Sequence, residues 1–241
     1  MAPPAPPEVP EAELEAQGWT RSADRSETVF EGLGVTVESR TLVYEDAELR
    51  RAVVEAGGPD RIWRFLFVSR LGITPSLAFG AKAAVRPQVL REAKQSFAEE
   101  LHDRGIERIG TGETERVELA GDRHARLTPY RGTITAETNG SGNGDEGGNG
   151  SRDGEGDGNG NGNGSRDGTR NGNGSGDEDQ GGSKNSGAGA ETEVGIVGRL
   201  ALWYDDGFFV AGCAGPSGAI DGWADPEGGG EELSALIRTV T

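Results

Sequence analysis

The chain has 241 residues and a formal charge of −17, with 41 acidic side chains against 24 Lys and Arg. Glu137–Ala190 contains no large apolar residue and carries −6 of that charge, which leaves −11 on the remainder. Both parts are acidic, which excludes DNA or RNA and anionic lipid as partners, because phosphate surfaces require a basic face.

Without Glu137–Ala190, about 185 residues remain, enough for one ordinary domain. The expected division is a disordered N-terminus over 1–10, a single α+β domain built from 11–136 and 191–241, and a disordered acidic Gly/Asn/Asp/Ser-rich insertion over 137–190. The single cysteine, Cys213, excludes an internal disulfide and a Cys-rich zinc site. The first ten residues show neither the basic nor the apolar region of a secretory signal, and no lipid-anchor cysteine follows. The longest apolar run, Ile62–Val68, is interrupted by Arg64 and is too short to span a bilayer. The expected location is the cytoplasm.

In chain order, Glu11–Gln17 predicts a short helix stopped by Gly18. Trp19 opens a first strand, with Thr28–Phe30 as its continuation or partner. Val35–Tyr44 is rich in β-branched residues and predicts a second, with Val35, Val37, Thr41 and Val43 on one face. Asp46 is placed to cap a helix over Ala47–Ala56, where Leu49, Val53 and Ala56 share one side and Gly57-Gly58-Pro59 ends it. Ile62–Ile73 is apolar on both faces, Ile62, Leu66 and Val68 on one and Trp63, Phe65 and Phe67 on the other. That pattern predicts a central strand, ended by Thr74-Pro75.

Ser76–Ala84 predicts a weak helix. Pro87 then opens a stronger one over Gln88–Arg104, with Leu90, Ala93, Phe97 and Leu101 as its apolar stripe and Gly105 as its stop. Ile106–Gly110 reads as an edge strand, and Thr114–Leu119 with His124–Ala136 as a hairpin across Ala120-Gly121-Asp122. Val194–Tyr204 and Phe208–Ala214 follow as strands. They are joined by Asp205-Asp206-Gly207, where Gly207 supplies a positive φ, and Gly215-Pro216 ends the second. Glu231–Val240 predicts a last helix with Leu233, Leu236 and Ile237 on one face. His124–Ala136, Val194–Tyr204 and Phe208–Ala214 are expected as adjacent antiparallel strands. The whole predicts an antiparallel sheet of about six or seven strands with helices on both faces.

The closing segments are an Arg-Leu-Thr-Pro-Tyr-Arg-Gly-Thr-Ile strand, a Gly-Arg-Leu-Ala-Leu-Trp-Tyr strand, an Asp-Asp-Gly turn, a Phe-Phe-Val-Ala-Gly strand and an amphipathic helix. Together they resemble the closing half of the Mog1/PsbP-like fold. Residues 19–241 also resemble an uncharacterised haloarchaeal family of that layout. Lys occurs only at positions 82, 94 and 184, and with the acidity this resembles salt-adapted proteins. Carboxylates keep such a surface hydrated, while salt screens their repulsion to about 3 Å at 1 M. The resemblance implies a non-catalytic partner of another protein.

No catalytic constellation stands out, and no cofactor is expected. Asp153-Gly-Glu155-Gly-Asp157-Gly158 resembles the opening of a calcium loop, but Gly164 occupies the position that needs a bidentate Glu. Asn139, Asn149, Asn163 and Asn173 begin Asn-Gly-Ser sequons, which a tract of this composition produces by chance. No Gly-Lys-Ser/Thr exists, and Gly110-Thr-Gly112 leads into a strand, so phosphate loops are excluded. Two separated histidines do not make a zinc or iron site, and His102 reads as a surface residue at a helix end. Cys213 and His124 form a conceivable nucleophile and base, although a lone strand cysteine more commonly serves as a small core hydrophobe. The alternative to a protein-binding domain is a small-molecule pocket between the sheet and helix 88–104, with Arg64, Arg70 and Tyr130 as polar contacts. Whether Trp223 packs or awaits a partner is open at this stage. Lengthening a hairpin loop from about four to about fifty-four residues costs only roughly 2.3 kcal/mol. The insertion is therefore expected to be dispensable for folding.

Overall fold

A computed structural model describes residues 4–32, 35–75, 81–119, 123–137, 191–220, 223 and 234–238. The insertion over 138–190, Leu233 and the turn residues 120–122 lie outside the described residues. Among the described residues eight antiparallel strands form one sheet: β1 (Trp19–Gly32), β2 (Val35–Asp46), β3 (Phe65–Thr74), β4 (Glu107–Thr111), β5 (Glu115–Glu118), β6 (His124–Glu137), β7 (Glu191–Tyr204) and β8 (Phe208–Pro216). Their order is β1-β2-β3-β8-β7-β6-β4, with β5 also pairing β6. The helices are α1 (Glu11–Ala16), α2 (Ala47–Glu55), α3 (Ala81–Asp103) and a short α4 (residues 234–238).

The sequence places β6, β7 and β8 side by side, and the sheet does the same. β3 lies inside the sheet between β2 and β8, in keeping with its two apolar faces. Successive residues point to opposite faces, so β3, β6, β7 and β8 each divide between two apolar clusters. Phe65, Leu200, Leu202 and Val210 join Leu49 and Val53 of α2 and Phe97 and Leu101 of α3 in one cluster. Leu66, Val68, Trp203 and Cys213 join Leu14 of α1 and Leu236 and Ile237 of α4 in the other.

The helix ends follow local chemistry. The Asp46 carboxylate accepts from the Leu49 amide at 2.9 Å and caps α2. Gly57 and Gly105 adopt φ of 87° and 77°, closing α2 and α3 with paired back-bonds to their last turns.

Several expectations are corrected. α3 is one helix through Pro87, not a weak helix followed by a second one. Pro87 is exposed, so its ring faces solvent, and the loss is the amide hydrogen that proline lacks. β8 continues through Gly215 and Pro216, and the ladder carries on with Ser217 N–H donating to the Gly195 carbonyl at 2.8 Å. Gly207 takes no left-handed φ; the turn is closed instead by the Asp205 N–H donating to the Gly207 carbonyl at 3.0 Å. Ala56 is exposed. Ile62 packs with the Trp63 cluster, because the strand alternation begins only at Phe65. Val35, Val37, Thr41 and Val43 do share one face of β2, as read, and Leu42 and Tyr44 on the other face join the second cluster. Residues 4–10 have no regular structure, with Pro7 buried and Val9 packed against the cluster that contains Leu14.

Candidate functional site

The parity of β3 decides where the suspected pocket residues go. Tyr130, on β6, faces α3: its ring meets Phe97 edge-on at 4.9 Å, and its hydroxyl donates to the Lys94 carbonyl at 3.3 Å. Burial pushes its pKa up to about 12. Arg64 sits in the opposite layer, 7% exposed, with its guanidinium 5.4 Å from the Trp19 ring and its Nη1 donating to Asp46 at 3.3 Å. Arg70 lies over Phe209 at 5.4 Å and pairs with Asp206 at the sheet end. Cys213 is fully buried in the layer of Leu66 and Trp203. His124 is exposed and shares strand parity with Tyr130, so it faces away from the Cys213 side. The five residues therefore do not converge, and Cys213 and His124 do not form a pair.

Burial pushes the Cys213 thiol from an ordinary 9.0 up to about 12. The neutral thiol is the form the core accepts, so its contribution to stability is complete below about pH 9. It is lost as pH rises toward about 12, at about 1.4 kcal/mol per pH unit. A Cys213→Ala variant should accordingly lose stability less steeply than the parent between about pH 9 and 11. Denaturant midpoints in matched salt test this; parallel slopes would refute it.

The space between α3 and β3, β6 and β8 is filled by aromatic rings. Phe97 meets Phe65, Phe67 and Tyr130 with ring centroids 6.4, 5.8 and 4.9 Å away. Three other features stand out. The first is a layer in which Arg104 stacks 3.9 Å from the Phe65 ring and Arg61 lies 5.3 Å from Trp63, beside a small cavity. Trp223 closes on Trp63 at 5.8 Å, so it is packed. The second is an open groove of about 530 Å³ between α3 and β4, lined by Gln95, Glu99, His102, Ile106, Arg108 and Ile109.

The third is β1 itself. It pairs with β2 along one side, and its other side is unpaired among the described residues. A bulge falls between Thr28 and Phe30, and Val29 and Phe30 are 53% and 48% exposed. Exposed Glu27 and Glu31 flank them. Sequence reading missed Arg61, Arg104 and this edge. Only the adjacent Val29-Phe30 pair, which breaks a polar run from Thr20 to Glu31, was a signal for the last of these.

Among the described residues no group of three or more His, Cys, Asp or Glu is arranged to hold a metal, and no helix is long and apolar enough to cross a membrane. A family model described as a domain of unknown function, DUF6517, matches residues 6–241, and the chain belongs to that family. No curated protein and no solved structure matches the chain.

Proposed function

We propose that this DUF6517 domain is a non-catalytic protein-interaction module that adds an extended segment of a partner protein along the open edge of β1. The observation that carries this reading is the exposure of Val29 and Phe30 on an edge strand whose outer side pairs with no strand among the described residues. Glu27 and Glu31 beside them favour a segment with apolar residues flanked by basic ones. The aromatic packing around Phe97 fills the space between α3 and β3, β6 and β8, which leaves the groove between α3 and β4 as the place the small-molecule reading would have to use. A Mog1/PsbP-like layout with helices on both faces belongs to the same proposal, supported by the division of α2 and α3 from α1 and α4 between the two apolar clusters. The acid excess and three lysines support a salt-rich cytoplasm as its setting.

The test is capture from the native extract in molar salt, with three baits: the full chain, a version with 138–190 replaced by a short turn, and Phe30→Glu. The expected result is one protein held stoichiometrically by the first two and at least about tenfold less by the third, since a buried aromatic anchor contributes about 2 kcal/mol or more. Capture by the full chain alone would move the function into the insertion. A small molecule released on denaturation, with no protein held, would replace this reading by the pocket reading.

A further inference from the structure

The charges of β1 stand in an order that complements itself when the strand is reversed. In the ladder with β2, Ser26 lies opposite Arg40. Arg25 and Glu27 are one place to either side, opposite Thr41 and Ser39. Ala23 and Phe30 are three places away, opposite Val43 and Val37, and Arg21 and Glu31 are four places away, opposite Tyr44 and Thr36. The register shifts around Ser22 and Val29 fall on both sides of Ser26, so they leave this spacing symmetric. Arg25, Glu27 and Glu31 are exposed and make no ion pair among the described residues. Arg21 already holds Glu11 at 3.0 Å, and Arg40 holds Asp24 at 2.9 Å.

We propose that the strand added along β1 is β1 of a second copy of this chain, antiparallel to the first and related to it by a two-fold axis at Ser26. The inference rests on edge addition at β1 and names its occupant. Directly opposed residues of an antiparallel pair share a face, so their side chains meet. Arg25 of each copy then opposes Glu27 of the other, and Arg21 opposes Glu31. Phe30 covers Ala23, a large side chain against a small one, and Asp24, already neutralised by Arg40, meets Thr28. Neighbouring registers lose this match. Centred on Arg25 or on Glu27, the strand sets that charge against its own copy, and the second choice also sets Glu31 against Asp24. Charges on an edge ordinarily prevent pairing; here they permit one register and oppose those beside it.

Sedimentation equilibrium of the full chain in about 0.5–1 M sodium chloride tests the assignment. Salt at about 1 M confines the repulsion between two acidic copies to about 3 Å, while opposed side chains stay in contact. The chain should be a dimer. Arg25→Glu and Glu27→Arg each bring like charges together and should weaken association at least about tenfold. Mixed in equal amounts, these two variants should form a one-to-one dimer, because every contact between the two sites is again Arg against Glu. The double variant Arg25→Glu/Glu27→Arg should dimerise as the parent does. Both positions are exposed, so unchanged melting of the variants under conditions that keep them apart separates pairing from folding. A dimer that both single variants retain, or single variants that neither mixing nor the double change rescues, overturns the proposal. A monomeric parent that takes a different protein from the native extract, and loses it with Phe30→Glu, overturns the second copy and leaves edge addition standing. A monomeric parent whose capture is indifferent to Phe30→Glu overturns both.

Discussion

Phe97→Ala should cost about 3–5 kcal/mol of folding stability, measured as a fall in denaturant midpoint with an unchanged slope. Phe97 is buried on α3 and is the ring around which Phe65, Phe67 and Tyr130 assemble. Beneath it the sheet presents glycine. A Cβ built on Gly212 would stand 3.0 Å from the Phe97 ring and 2.3 Å from that of Phe67, and one on Gly198 would stand 3.5 Å from Phe97. Those glycines have no side chains that could move into the space the ring leaves, so the cavity stays open and the cost falls toward the upper end of the range. Gly212→Ala should also destabilise, by overpacking of about 1–3 kcal/mol. A loss below about 1 kcal/mol for Phe97→Ala would mean that α3 is held by something other than this aromatic cluster.

Asp46→Ala should cost a comparable amount, about 3–5 kcal/mol, because one carboxylate performs two tasks. Oδ1 caps α2 at the Leu49 amide, and Oδ2 accepts from the buried Arg64 at 3.3 Å. Asp46→Asn separates them. The amide oxygen still caps, so Asn should recover about 1 kcal/mol relative to Ala while leaving Arg64 without this counter-charge. Adding Arg64→Met to Asp46→Asn should then recover part of the remainder, because removing both charges costs less than stranding one. If Asn and Ala prove equally damaging and Arg64→Met recovers nothing, the ion pair contributes nothing and another cause is needed.

Short-range chemistry was legible in the sequence. Asp46 before an apolar 3–4 repeat, Gly57 and Gly105 after the last turns, and Phe65–Val68 with two apolar faces each point to one local structure, and each holds. Proline was the recurrent trap. Pro87 and Pro216 were read as boundaries, yet an exposed ring within α3 and a terminal position on β8 let the neighbouring hydrogen bonds carry the element through. The site was less legible, because a side chain's partners depend on which strands become neighbours. Arg70 shares the parity of Leu66 and Val68, so the alternation that marked β3 as central already placed it away from Phe65 and α3, whereas Arg64 stands just before that alternation and its place follows from Trp19 and Asp46. Arg61 lies before the alternation starts. Its place beside Arg104 depends on a contact across 43 residues, which local pattern does not encode.

β6 and β7 stay in register to their last pair, Glu137 opposite Glu191. The ladder thus ends flush, with both chain ends a strand's width apart and outside both apolar clusters. Such a junction is a natural docking point for foreign sequence. Joining these two glutamates by a short turn, or setting a reporter domain between them, is expected to leave cooperative unfolding in high salt intact, and loss of cooperativity would refute this.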